Sequence, residues 1–265
     1  MVSSSSTPAE THEPAGHGRP HLQLVTPGSG NGRCSGAKGF LAVSDYVASV
    51  GVTLAQMPCG AIEELVEVLL RASEAGRAIF VFGNGGSAAL ASHAACDLGK
   101  GTCDVVRQRV RVLSLTDNVP LITAWANDTA YELVFTEQMK NFIQPGDVAF
   151  AISGSGNSPN VLHALRYARE IGATTVGLAG FEGGRMRPLC DVCVVVPSDN
   201  MQIIEDLHVM AAHGIFTILR SRMALDHTLD HTKARTAQSE LQEAAPLPAS
   251  IESEMELETK KRVAM

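Results

Sequence analysis

The ten residues Ala78-Ile79-Phe80-Val81-Phe82-Gly83-Asn84-Gly85-Gly86-Ser87 decide how the rest of the chain is read. They open on five apolar residues in a row, aromatic and β-branched members among them. With no polar face, such a run predicts a strand buried on both sides. The glycines end it, and Ser87 starts a segment, residues 87–98, that predicts a helix. The same strand-to-helix pattern recurs. Further strands are predicted at residues 110–115, 147–152, 174–179 and 192–196. Helices are predicted at 119–126, 131–142, 159–171 and 203–223, with a short one at 184–189. Two more, 40–54 and 61–75, come first, the second through Ile62, Leu65, Val66, Val68 and Leu69 at helical spacing. This alternation implies an α/β fold in three layers, a parallel sheet with helices on both faces.

Composition narrows the function classes. Hydrophobic residues make up 45% of the 265, enough for a core. A net charge of −7 gives no case for nucleic acid, whose binders carry a basic patch. No run of about 18 apolar residues predicts a membrane span. The N-terminus has no charged region followed by an apolar stretch, so no secretory signal is read and a cytoplasmic location is expected. Residues 1–38, rich in Ser, Pro, Gly, Thr and His, read as a disordered extension. Residues 39–223 form the domain with its leading helices, and 224–265 read as a flexible polar tail. Cys34, Cys59, Cys96, Cys103, Cys190 and Cys193 are too scattered for a disulfide scaffold. Cys190-Asp-Val-Cys193 lacks the second pair that a structural zinc site needs and runs into Val194-Val195-Val196, so it reads as strand.

Two loops carry the chemistry. In parallel sheets ligands bind beyond the carboxyl ends of the strands. Gly83-Asn84-Gly85-Gly86-Ser87 lies there, and its glycines let backbone N–H groups and a helix N-terminus approach an anion. Ser153-Gly154-Ser155-Gly156-Asn157-Ser158-Pro159 lies at a second such end and offers three hydroxyls with a nest of amides suited to a phosphate monoester. No lysine follows either loop as a P-loop requires. Ala88 stands where a dinucleotide site has its third glycine, and no acidic residue closes the next strand at the required distance.

His93 and Asp97, four apart, share one face of a predicted helix, a spacing that suits a common ion and equally a surface ion pair. Glu205 and His213 lie eight apart on the last helix, about 12 Å along its axis at about 1.5 Å per residue. They meet one ligand only if both lean inward.

Five stretches together resemble the phosphoheptose isomerases of the sugar isomerase (SIS) family. They are Phe82-Gly-Asn-Gly-Gly-Ser87, Ala126-Asn-Asp128 with Tyr131-Glu132, Pro145-Gly-Asp-Val148, Ser153-Gly-Ser-Gly-Asn-Ser-Pro-Asn-Val161, and Glu205-Asp-Leu-His208 with His213. The resemblance spans residues 40–223 and implies a flavodoxin-like SIS fold. It implies conversion of sedoheptulose 7-phosphate to D-glycero-D-manno-heptose 7-phosphate through an enediol. It also implies one divalent metal per site, zinc above all, held by His93, Asp97, Glu205 and His213. Asp97 stands where the family carries glutamate and Glu205 where it carries glutamine, and both remain oxygen ligands. The family's arginine beyond the pair is absent, with Gly99-Lys100-Gly101 there and Lys100 as the available cation.

Carried over by position, Asp97 is the base and His213 the shuttle for a hydroxyl proton. Ser153, Gly154, Ser155 and Ser158 hold the phosphate. Asn84, Gly85, Gly86, Ser87, Asn127, Asp128 and Glu205 bind the rest of the substrate. The family assembles as homotetramers with sites built across subunits. Two alternatives remain at this stage: a non-catalytic sugar-phosphate sensor or adaptor, and an isomerase for another ketose phosphate.

Overall fold

The computed structural model describes residues 40–105 and 109–243. The readings for residues 1–38 and 244–265 therefore lie outside the described residues. Helices α1 (Val43–Leu54) and α2 (Cys59–Glu74) lead into strand β1 (Ala78–Gly83) and helix α3 (Gly86–Gly101). Then come β2 (Arg111–Ser114), α4 (Val119–Asp128), a 3-10 turn over Tyr131–Leu133, α5 (Val134–Lys140) and β3 (Val148–Ser153). The chain continues with α6 (Pro159–Ile171), β4 (Thr174–Ala179), a 3-10 turn over Arg187–Leu189, β5 (Val192–Val195) and α7 (Met201–Glu243).

All five strands are parallel, in the order β2-β1-β3-β4-β5. From β1 the chain adds β2 on one side and then crosses to β3 on the other. The gap between the loops after β1 and β3 is thus the switch point of the sheet, where α/β folds bind ligands. Both predicted loops flank it.

Side-chain alternation along β1 feeds two cores. Ile79 and Val81 join Phe150, Ile152 and Leu178 under α2, α3 and α7. Ala78, Phe80 and Phe82 face the other way, onto Phe135 and Met139 of α5 and Leu162 and Leu165 of α6. Burial of both faces is why these strands read as unbroken apolar runs. Asp147, 3% exposed, braces their start. Its Oδ1 accepts from Ala78 N at 2.9 Å and its Oδ2 from Gln144 N at 2.8 Å, so the Pro145-Gly146-Asp147 stretch fixes the turn into β3.

Helix α7 departs from the sequence reading. It runs through residue 223 to Glu243, where a flexible tail is expected from 224. The apolar periodicity fades there, but no Gly or Pro falls between 215 and 243, and Ala, Leu, Arg, Gln and Glu keep helix propensity high. Despite its 43 residues, neither α7 nor any other helix among the described residues is apolar enough to cross a membrane.

His208, on the buried face of α7, is 1% exposed. Burial holds its pKa below the usual histidine value, opposed in part by the Ala179 backbone. The folded imidazole is neutral, whereas the unfolded one takes a proton near pH 6.5. Its contribution is therefore whole above about pH 6.5 and is lost as pH falls toward the lower folded value. Melting temperatures from pH 7.5 to 5.5 are expected to fall more steeply for the wild type than for His208→Leu.

Candidate functional site

The first loop is set by close packing at the end of β1. A Cβ on Gly83 would sit 2.6 Å from the Ile152 carbonyl oxygen, so β1 and β3 leave no room there for a side chain. Gly85 takes φ +56 as the residue before the first turn of α3, a conformation that favours glycine. Ser87 is buried in that turn. Asn84 is held from the side. Its Nδ2 donates to Asn160 Oδ1 at 2.8 Å, and its Oδ1 accepts from Asn160 Nδ2 at 2.9 Å and from Tyr131 Oη at 2.9 Å. Tyr131 and Asn160 fall within the quoted motifs, yet spacing along the chain gives no sign that they meet Asn84.

The serine loop closes on itself. Gly156 N donates to the Ser153 carbonyl, Asn157 N to Ser155 Oγ at 3.2 Å, and Asn157 Nδ2 to the Ser155 carbonyl at 2.8 Å. The segment after β4 straps it from outside. Gly180 N donates to the Gly154 carbonyl, Met186 N to the Gly156 carbonyl, and Arg185 N to Asn157 Oδ1 at 3.1 Å. Ser153 is buried while Ser155 and Ser158 are partly exposed. Among the described residues, the backbone N–H groups of Ser155 and Ser158 donate to no carbonyl. Uncommitted N–H groups of this kind at the start of a helix are able to bind an anion.

His93, Asp97 and His213 converge from two helices. Their potential ligand atoms lie within 4.8 Å of one another. His93 Nε2 is 3.3 Å from Asp97 Oδ2 and 3.3 Å from His213 Nε2. Two imidazoles and a carboxylate at this spacing, with both histidines exposed, fit a divalent cation of the nitrogen- and oxygen-binding kind. Glu205 is not in that group. It sits two turns earlier on α7, its carboxylate over the open face of Gly86, where an added Cβ would lie 3.2 Å from Oε2. It therefore faces the first loop.

Asn127 and Asp128 lie at the end of α4, both exposed and hydrogen-bonded to each other at 2.8 Å. Among the described residues no hydrogen bond joins them to either loop. Lys100 is exposed in the last turn of α3. The helices that carry the three-residue cluster are pinned to each other: Arg220 donates to the Gly101 carbonyl at 2.9 Å and to Asp104 at 2.6 Å. Tyr46 of α1 donates to Asp206, and this hydrogen bond pushes the Tyr46 pKa up to about 12. The hydrogen bond between the Cys190 and Cys193 thiols, together with burial, drives the Cys190 pKa far up, so Cys190 stays a thiol.

Comparison with known proteins places this arrangement. Residues 45–180 match the model of the SIS domain. A phosphoheptose isomerase of Synechocystis is 36% identical over 181 residues, 68% of this chain and 93% of that protein. Another, from Pelobacter propionicus, is 41% identical over 160 residues, covering 60% and 84%. A solved phosphoheptose isomerase from Francisella tularensis superposes with a TM-score of 0.64 at 26% identity, covering 68% of this chain and 96% of that one.

Proposed function

This chain belongs to the SIS-domain family, with phosphoheptose isomerases among its relatives, and we propose on that basis that it isomerises sedoheptulose 7-phosphate to D-glycero-D-manno-heptose 7-phosphate. The observation that carries the reading is the convergence of His93 and Asp97 of α3 with His213 of α7, their potential ligand atoms within 4.8 Å of one another. His93 lies seven positions after Gly86, about 10 Å along α3. An open-chain sugar phosphate that extends past the first loop along α3 covers such a distance and brings its carbonyl end toward the cluster.

The division of labour follows from the residues. The serine loop holds the phosphate through the amides and hydroxyls of Ser155 and Ser158, with Ser153 and Gly154 as its floor. Backbone groups of Gly85 and Gly86, with Ser87 behind them, line the sugar. Asp97 takes the C1 proton of the ketose and returns it to C2, which needs a carboxylate within reach of both carbons. His213 moves the hydroxyl proton between the two oxygens. His93, Asp97 and His213 would hold a zinc or similar divalent ion, with Glu205 available as a fourth ligand once it swings from Gly86. Such an ion supplies Lewis-acid polarisation of the carbonyl when bound. Glu205 adds a negative charge that strengthens cation binding and limits how much enediolate charge the site tolerates. Asn127 and Asp128, exposed and hydrogen-bonded to each other rather than to either loop, fit a site completed by a second copy of the chain, in keeping with a homotetramer working in the cytoplasm.

Incubation of the purified protein with sedoheptulose 7-phosphate, followed by NMR, is expected to show aldose signals. Their rate is expected to fall at least tenfold after chelation and to return with zinc. No product from this or any other ketose phosphate, with metal present, would remove the isomerase assignment.

A further inference from the structure

Asn160 is 2% exposed in the first turn of α6, directly behind the serine loop. A buried amide there must satisfy both its ends, or desolvation makes it costly. Val161 N, one of the helix-terminal donors with no partner inside the helix, donates to Asn160 Oδ1 at 3.0 Å. Because a backbone N–H can only donate, this one bond fixes which end of the Asn160 amide is oxygen. The orientation of Asn84 then follows. Asn160 Nδ2 must donate to Asn84 Oδ1, and Asn84 Nδ2 must donate back to Asn160 Oδ1. Tyr131 takes the remaining lone pair of Asn84 Oδ1. Both acceptor sites of Asn84 are thereby used. One N–H of its Nδ2 is the only function left uncommitted among the described residues.

From this geometry we infer that Asn160 is a positioning residue, which through the reciprocal amide pair sets Asn84 as an N–H donor toward the sugar at the switch point. This deepens the isomerase reading and rests on it. A fixed donor in the first loop suits a sugar oxygen that accepts and rejects a group that must donate. The pair also bridges the two loops, since Asn160 follows the phosphate nest by two residues and Asn84 follows β1. An anion seated in the serine loop therefore settles the same helix turn that holds Asn84 in place.

The test exploits an isosteric change. In Asn160→Asp the carboxylate keeps the acceptor for Val161 N and Asn84 Nδ2 but sets an oxygen against Asn84 Oδ1. Tyr131 is the one titratable group hydrogen-bonded to the pair among the described residues. At pH 8 kcat/KM is expected to fall about 10- to 100-fold relative to wild type. The buried carboxyl, its pKa raised by desolvation and by the facing oxygen, protonates as pH falls and regains the lost donor. The ratio of variant to wild type, taken at each pH so that effects on the rest of the site cancel, is expected to climb at least tenfold between pH 8 and 5.5. Asn160→Ala is expected to be slow without any such climb. A flat ratio for Asn160→Asp, or wild-type kcat and KM in Asn160→Ala, overturns the inference. A second readout does not depend on turnover. The Asn84 side-chain amide, assigned by its absence in Asn84→Asp, is expected to exchange slowly with solvent in wild type. In Asn160→Asp the protection of this amide, its rate taken relative to a free asparagine amide at the same pH, is expected to be lost at pH 8 and regained at pH 5.5. Fast exchange in wild type counts against the amide pair even where isomerisation is observed. Slow exchange in a protein that turns over no ketose phosphate leaves the pair standing and removes the isomerase reading instead.

Discussion

Asp97→Asn is expected to stop isomerisation while phosphate-ester binding persists. The amide keeps the size of the carboxylate beside His93, so the helices that carry it have no reason to move. It cannot accept the C1 proton at neutral pH, and loss of a general base lowers rate by about 10²- to 10⁴-fold. The measurement is deuterium uptake at C1 of sedoheptulose 7-phosphate in heavy water, which reports proton abstraction even when turnover is slow. Titration calorimetry with the same ligand checks that the phosphate nest is intact. Exchange at the wild-type rate in Asp97→Asn would take the base away from Asp97. Asp97→Glu is the companion variant. The donor atoms of the cluster already lie within 4.8 Å of one another, so a longer arm crowds them and kcat is expected to drop.

Gly156→Ala is expected to be the most damaging single methyl in the chain's ligand-binding half. Gly156 has φ +62, and its Cβ would stand 2.2 Å from the Gly183 carbonyl oxygen. Neither atom is the end of a flexible side chain, so the strap after β4 must lift off the serine loop. Left-handed backbone at a non-glycine residue costs about 1–3 kcal/mol before the clash is counted. The expected readouts are a fall in melting temperature and a rise in KM of more than tenfold. Gly60→Ala, whose added methyl meets nothing within 4 Å, serves as the control and is expected to leave both values close to wild type.

Much of this was open to a reader of the sequence alone, for identifiable reasons. β1 and β3 are buried at every position, so their runs carry no competing pattern. α6 spans Pro159–Ile171 as read, because Pro pre-sets its first turn and Gly172, at φ +83, ends it. Where periodicity was the only guide, the reading slipped. Residues 131–142 are not one helix but a 3-10 turn followed by α5, a change that swings Tyr131 toward Asn84. Helix α7 outruns its apolar stripe, because loss of an apolar face is not loss of helix propensity. At the site, the i,i+4 spacing of His93 and Asp97 reported a true neighbour pair. The eight-residue spacing of Glu205 and His213 did not specify which way each side chain leans, and Glu205 leans to Gly86. The Asn84–Asn160 pair joins residues 76 apart, and no local pattern encodes a contact of that range.

The three-residue cluster sits on no loop: two members ride on α3 and the third on α7. Loops absorb added or deleted residues, but a helix converts each one into a rotation of about 100° and a shift of about 1.5 Å for everything beyond it. A single-residue deletion between Glu205 and His213 would leave the chemistry of every side chain unaltered and still turn His213 away from His93. The Phe216 and Arg220 contacts to Gly101 would be thrown out of register in the same stroke. Insertions and deletions are therefore expected to be tolerated in turns rather than here, and the stretch from 201 to about 222 behaves as a ruler whose graduations have to be kept in count.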